Sequence, residues 1–237
     1  MRYCIAIIIS FIFFPRLSGQ GFLPDSAIYR ISLNQTLAYN NSLATKTSGL
    51  YTGSLYARDY FKVKGHPFFQ TDSFQKGEIF YNGVLYKNTN LLYDLSHDNV
   101  VTEYVDGLRL VLVPEKISYF NLGGHSFVRR HNVAVTGEGF YDLLLEGKIE
   151  VLADRTRKIE SSLRTEEFDG AFVQLNNYYI QKGGLYYPVN DKKELMDVLS
   201  DKKADLKSFI AKNKPDFRKH FENALLETAR YYEQITK

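Results

Sequence analysis

Cysteine is nearly missing from this 237-residue chain and tryptophan is missing altogether. The one cysteine, Cys4, stands before an apolar run, so it cannot become the lipid-bearing first residue of a processed lipoprotein. Downstream of it, neither a disulfide framework nor thiolate chemistry is available. An excess of one charge is also lacking, with 30 basic residues against 27 acidic ones. That balance excludes the electrostatic footprint of a nucleic-acid binder. No apolar run reaches the ~20 residues that a membrane-spanning helix needs.

The apolar run that does exist, Ile5 to Phe14, follows Arg2 and precedes Pro15-Arg16-Leu17-Ser18-Gly19-Gln20. A short basic start, an apolar centre and small residues behind it make up a secretory signal, expected over residues 1–19 with cleavage after Gly19. An uncleaved anchor would need more length, because this run covers about 18 Å as a helix against a ~30 Å hydrocarbon core. Without Arg2 and Arg16 the balance is 28 basic to 27 acidic residues.

Aromatic side chains are abundant: 18 tyrosines and 17 phenylalanines, 15% of the chain. They favour pleated, half-buried surfaces, and hence a sheet protein. From Gly77 onward the pattern agrees. Ile79 and Tyr81, then Asn82-Gly83, then Leu85 to Leu95 predict two strands joined by a type I′ turn. Asn99 to Val105 and Leu108 to Val113 flank Asp106-Gly107 in the same way. Further strands are expected at Ile117 to Leu122, His125 to Arg130, Phe140 to Leu145, Lys148 to Leu152 and Phe172 to Gln181. Lys182-Gly183-Gly184 then turns the chain into Leu185 to Val189. Short strands at close spacing argue for an antiparallel meander rather than βαβ units.

Helical spacing frames this region. Pro24 and Asp25 precede Ile28, Tyr29, Leu33 and Leu37, which predicts a helix over residues 25–44. From Asp191, Leu195, Met196, Leu199, Leu206, Phe209 and Ile210 form a stripe, with a break or new cap at Ser200-Asp201. After Lys214-Pro215, residues Phe217, Phe221, Ala224, Leu225, Thr228, Tyr232 and Ile235 form a second stripe. The expected fold class is α+β: an antiparallel β-meander, as a curved sheet or half-barrel, with an N-terminal helix and a C-terminal helical hairpin. The N-terminal helix and sheet occupy residues 20–190, and the hairpin, packed on the sheet, residues 191–237.

Chemistry-bearing motifs are sparse. His66, His97, His125 and His131, with Asp94 and Asp98 beside His97, invite a metal or acid/base reading, but they lack His-x-x-x-His spacing and have no cysteine to complete a zinc set, so no metal and no cofactor is expected. His125 and His131 are six apart, about 20 Å along an extended chain. Ser73, Ser118 and Ser126 lie outside any Gly-x-Ser-x-Gly elbow. Gly123-Gly124 and Gly137-Glu138-Gly139 read as hairpin loops; no helix follows them to cradle phosphate. Glu146, Glu150 and Asp154 lie near Arg155 and Arg157, but the alternation over 146–152 is that of a strand with one solvated face. Arg129-Arg130-His131 would either grip an anion or form a charged strand end. The tyrosines on the strands would either line a concave, ligand-binding face or pair across strands.

Three segments, Gly65-His66-Pro67-Phe68-Phe69, Gly77 to Tyr86, and Leu91-Leu92-Tyr93-Asp94-Leu95, together with Gly124 to Val128, Asp201-Lys202-Lys203 and Tyr231-Tyr232, resemble a family of exported proteins from Gram-negative bacteria of the Bacteroidetes type. The resemblance spans most of the chain after residue 19. It implies location and brings no activity or catalytic residue with it. A looser architectural likeness is to periplasmic lipoprotein carriers, which says little about function.

The binding candidates are His66, Tyr93, His125, Arg129 and Arg130, with no catalytic residue singled out. The expected function is that of a non-enzymatic envelope protein, periplasmic or outer-membrane-associated, that binds an apolar ligand or a protein partner. Two alternatives stay open: a hydrolase acting on envelope glycan or peptide, and an interaction module docking through its C-terminal helices. An integral barrel is disfavoured by the amphipathic helices and by charges on both sides of several turns.

Overall fold

The computed structural model describes residues 49–57, 60, 62–133 and 137–236. The signal segment and the helix expected over residues 25–44 lie outside the described residues. The strands are β1 (Ser54–Leu55), β2 (Val63–Lys64), β3 (Gln75–Tyr81), β4 (Val84–Asp94), β5 (Asn99–Glu103), β6 (Arg109–Val111), β7 (Ile117–Leu122), β8 (His125–Val133), β9 (Gly137–Leu145), β10 (Glu150–Glu160), β11 (Gly170–Lys182) and β12 (Leu185–Pro188). Three helices follow: α1 (Lys192–Val198), α2 (Lys203–Asn213) and α3 (Phe221–Ile235).

The strands make one open sheet in the order β1-β6-β5-β4-β3-β7-β8-β9-β10-β11-β12, with β2 beside β11. The pairings are antiparallel except that of β2 with β11. Turn chemistry accounts for much of this order. Asn82 (φ 49) and Gly83 (φ 80) both take the left-handed conformation that a type I′ turn requires, and they join β3 to β4. Gly123-Gly124 and Gly183-Gly184 close β7–β8 and β11–β12 in the same way.

Three expectations are corrected. Asp106-Gly107 does not form a two-residue turn: Val105–Gly107 is a 3-10 turn, with the Tyr104 N–H closing on the Leu108 carbonyl at 2.7 Å. Gly137 to Gly139 is not a loop but the start of β9, where Gly139 pairs with Arg130. A β-carbon at Gly139 would lie 3.0 Å from an Asp98 carboxylate oxygen, so the missing side chain makes room for that contact. The connection between α2 and α3 is longer than Asn213 to Pro215. Lys214 takes φ 50 at the end of α2, Pro215 follows, and the Asp216 carboxylate accepts from the Arg218 and Lys219 N–H groups before α3 begins at Phe221.

Two clusters form most of the core. The first is aromatic: Phe120 stacks on Phe127 at 4.8 Å, Tyr93 meets Phe127 at 4.9 Å and Phe120 at 5.1 Å, and Phe140 meets Phe120 at 5.3 Å. Such ring pairs contribute specific geometry beyond their buried area. The second cluster is the helix–sheet interface. Ile149, Val151, Ala153, Tyr178 and Ile180 pack with Leu195, Leu199, Leu206, Leu225 and Ala229. Asp191 caps α1 by accepting from the Glu194 N–H, and Glu194 reaches back to the Asn190 N–H, each at 2.7 Å. Among the described residues no helix is long and apolar enough to cross a membrane.

One irregularity positions everything that follows. β9 and β10 pair only from Leu145 to Asp142 against Val151 to Ala153. Beyond that point β9 continues along β8 and β10 along β11. The loop after β4 enters the gap: the Arg157 N–H donates to the Leu95 carbonyl at 3.2 Å, and the Phe140 N–H to Asp98 at 3.2 Å.

Candidate functional site

The five sequence candidates do not converge on one site; the structure places them in four polar arrangements. His125 sits at the start of β8, and its Nδ1 lies 2.7 Å from Oδ2 of Asp142 on β9. The same carboxylate accepts from Arg155 Nε at 2.7 Å, and Arg155 in turn reaches Glu222 of α3 at 3.1 Å. Tyr178 completes the chain by donating to Glu222 at 3.0 Å. Burial works against the Arg155 charge, but Glu222 and Asp142 outweigh it and raise its pKa; burial and Glu222 push the Tyr178 hydroxyl up to about 12. A buried ion pair persists only with such complete hydrogen bonding. The His125–Asp142 pair has the geometry of a general-base dyad, but Arg155 already neutralises the carboxylate. Ser126 follows His125 directly on the strand, so it faces the other side of the sheet. The arrangement ties α3 to the sheet and has no nucleophile.

Tyr93 and Arg129 come together in the β9–β10 gap. The Tyr93 hydroxyl donates to Asp98 at 2.6 Å, while Arg129 packs over the Phe140 ring and pairs with Glu138, which also contacts His131 at 3.2 Å. Burial raises the Asp98 pKa to about 6, against the opposing Tyr93 and Phe140 hydrogen bonds, and burial likewise raises that of Asp154. A cavity of about 190 Å³ lies between Asp98, Asp154, Tyr93 and Arg155. That is below the ~300 Å³ at which ligand pockets begin, so it fits water rather than a sugar or peptide. Asp98 can exchange a proton near neutral pH, but its two oxygens are held by Tyr93 and Phe140 and are not aimed at a substrate.

Arg130 points away from this cluster. It binds Glu150 through two bonds of 3.0 and 2.7 Å, and the Tyr186 hydroxyl joins the same carboxylate at 3.3 Å. Glu150, expected on a solvated face, is thus held in an ion pair across β8, β10 and β12. His66 belongs to a fourth arrangement at the far end of β10. Arg157 NH1 donates to the His66 carbonyl at 2.6 Å, lies 3.0 Å from its Nδ1, and a second nitrogen reaches the Gln174 amide oxygen at 3.4 Å. Burial and the Arg157 charge lower the His66 pKa. Among the described residues no three His, Cys, Asp or Glu side chains converge as metal ligands.

Asp142 and Glu222 are the partners that sequence reasoning missed, and Asp98, weighed there only beside His97, is instead held by Tyr93 and Phe140. Arg155 carried a usable signal. It continues the inward parity of Val151 and Ala153, and an arginine at an inward strand position needs a buried carboxylate.

Along β11 the chain is open in a different sense. Gln174 to Asn177 are four consecutive exposed residues in mid-strand, and Leu175 is 43% exposed. Ile159 and Leu163 add exposed apolar surface at the same end of the β10–β11 pair. The class that fold and geometry define is therefore an open antiparallel sheet with helices at its C-terminal end and no built catalytic centre among the described residues. Compared with known protein families, curated proteins and solved structures, the chain matches none of them.

Proposed function

We propose that this is a non-enzymatic exported envelope protein that acts by binding a partner protein. The observation that carries the reading is that the aromatic face is occupied by its own side chains: the rings of Tyr93, Phe120, Phe127 and Phe140 form one cluster with paired centroids 4.8 to 6.2 Å apart. A carrier of apolar ligands needs that face open. A hydrolase needs converging acids in a cleft of substrate size; the Asp98–Asp154 cavity is too small, and the larger clefts of about 570 Å³ beside His125 and about 580 Å³ beside Tyr187 are each lined by a single acid, Glu78 and Asp197. The exposed stretch of β11, with Leu175, Ile159 and Leu163 near it, offers a surface for recognition. The finer fold reading, a sheet curved as a half-barrel, is supported by the Tyr93–Phe127 contact. Strands β4 and β8 stand three positions apart in the sheet order, about 14 Å if flat, yet their rings meet at 4.9 Å. Export rests on Arg2, Ile5 to Phe14 and Ser18-Gly19, and on the family resemblance.

Mild crosslinking in the native envelope, followed by purification and native mass spectrometry, tests the reading. The expected product is a complex with a protein at fixed stoichiometry. A monomer that carries one lipid per chain and no protein would overturn it.

A further inference from the structure

The open stretch of β11 has a backbone pattern and a charge that together specify what would fit there. β10 covers one edge of β11 along its length, from Glu150 opposite Gln181 to Glu160 opposite Ala171. The other edge is shared. β2 pairs with Gly170 and Ala171, and β12 pairs with Tyr179 to Lys182. Beyond β12, the Val189 N–H donates to the Tyr178 carbonyl and the Tyr178 N–H to the Asn190 side chain. Among the described residues no strand pairs with this edge between Val173 and Asn177. In an antiparallel ladder both backbone groups of a residue point to one side, and the side alternates along the strand. Tyr178 points to the outer edge, so Asn176 and Gln174 do so too. Two N–H and two C=O groups thus face outward over about 17 Å of strand.

The neighbouring charge is Arg157, opposite Gln174 on β10. This half-buried guanidinium contacts the His66 carbonyl, the His66 ring and the Gln174 amide, and has no carboxylate partner among the described residues. Arg129, Arg130 and Arg155, by contrast, are each paired with an acid. A residue of an added strand opposite Gln174 would stand two strand spacings from Arg157, about 9.5 Å, within the joint reach of an arginine and a glutamate.

We propose that β11 accepts an extended peptide segment of a partner protein as an added strand along residues 173–177, and that this segment carries a carboxylate that pairs with Arg157. The proposal rests on the protein-binding reading above and names the partner's chemistry. Symmetric pairing of β11 with the β11 of a second copy does not fit the notch. β2 and β12 stand on the same edge at either side, so two β11 strands could not approach to the ~4.8 Å that pairing needs. A single peptide of about five residues can. Backbone bonds would supply affinity and the alternate side chains specificity, with Leu175 and Val173 meeting apolar residues on one face and Arg157 the acid on the other.

The test is selection of a random decapeptide display library on the full chain, followed by binding measurements. Enriched peptides are expected to alternate apolar and polar residues and to hold Glu or Asp at one fixed position. Asn176→Pro removes an outward N–H without touching the β10 ladder, so it should keep the melting temperature and weaken these peptides at least tenfold. Arg157→Met should abolish the acidic preference, and Arg157→Lys should restore part of it. Should the proline variant misfold, amide exchange in the wild-type chain decides: Gln174 and Asn176 should exchange fast in the free protein and be protected by the selected peptides. An unenriched library, peptides that bind Asn176→Pro unchanged, protection already present in the free chain, or a dimer that this variant disrupts would each overturn the proposal. A native partner that binds the variant as well as wild type would overturn strand addition while leaving the protein-binding reading intact.

Discussion

Arg155 and Asp142 form a buried ion pair across β9 and β10, 2.7 Å from Nε to Oδ2, with side chains 6% and 1% exposed. The pair joins His125 on β8 to Glu222 on α3, so the sheet and the C-terminal helices share one polar network.

Breaking that network from one side leaves a buried charge unpaired. Arg155→Ala is expected to destabilise the fold by about 3 to 5 kcal/mol, and Glu222→Gln, at the more exposed end, by about 1 kcal/mol. Urea unfolding of the two variants beside wild type measures this; equal effects would show that the Asp142 end does not dominate.

The pH dependence of stability should carry the mark of Asp98. Its folded pKa is about 6 against an ordinary 3.8, so between those values the folded state binds more protons than the unfolded one. Stability therefore falls as pH rises from about 4 to 6, by about 3 kcal/mol at most, and acidification through this window recovers it. Asp98→Asn should remove this slope. Melting temperatures at closely spaced pH values, in wild type and variant, are the check, and an unchanged slope would assign the proton elsewhere.

Helix docking should be a matter of apolar fill. Leu225 of α3 is fully buried in the helix–sheet cluster, and Leu225→Ala should cost about 2 to 5 kcal/mol. Amide exchange would show the loss spreading through α2 and α3 before it reaches the aromatic cluster under β4. Simultaneous exposure of both clusters would mean that they unfold as one unit.

The β3–β4 turn isolates a local effect. Gly83 holds φ 80, where a β-carbon is strained although nothing stands near it, so Gly83→Ala should cost about 1 kcal/mol through the backbone alone. Thermal unfolding measures it, and a neutral substitution would mean that the turn relaxes to another type.

Much of the fold was legible because its signals are short. Asn82-Gly83 names its turn, Asp191 with Glu194 names a helix start, and the break at Ser200–Lys202 is visible where the apolar stripe loses its spacing. The misreading of Gly137 to Gly139 has the opposite cause. Those glycines look like a turn in isolation, and only the approach of Asp98, forty-one residues earlier in the chain, explains why one of them must lack a side chain.

By itself the sequence determined most of the strands from β3 to β12, the turns at Asn82-Gly83 and Gly183-Gly184, and the C-terminal helical stripes, since each depends on residues a few positions apart. Tertiary structure alone decided that β9 and β10 separate after three paired residues, that Arg155 meets both Asp142 and Glu222, and that among the described residues no strand pairs with β11 beside Arg157. These follow from strand order and register, which bring distant residues together through packing of the whole sheet, and no local pattern encodes that choice.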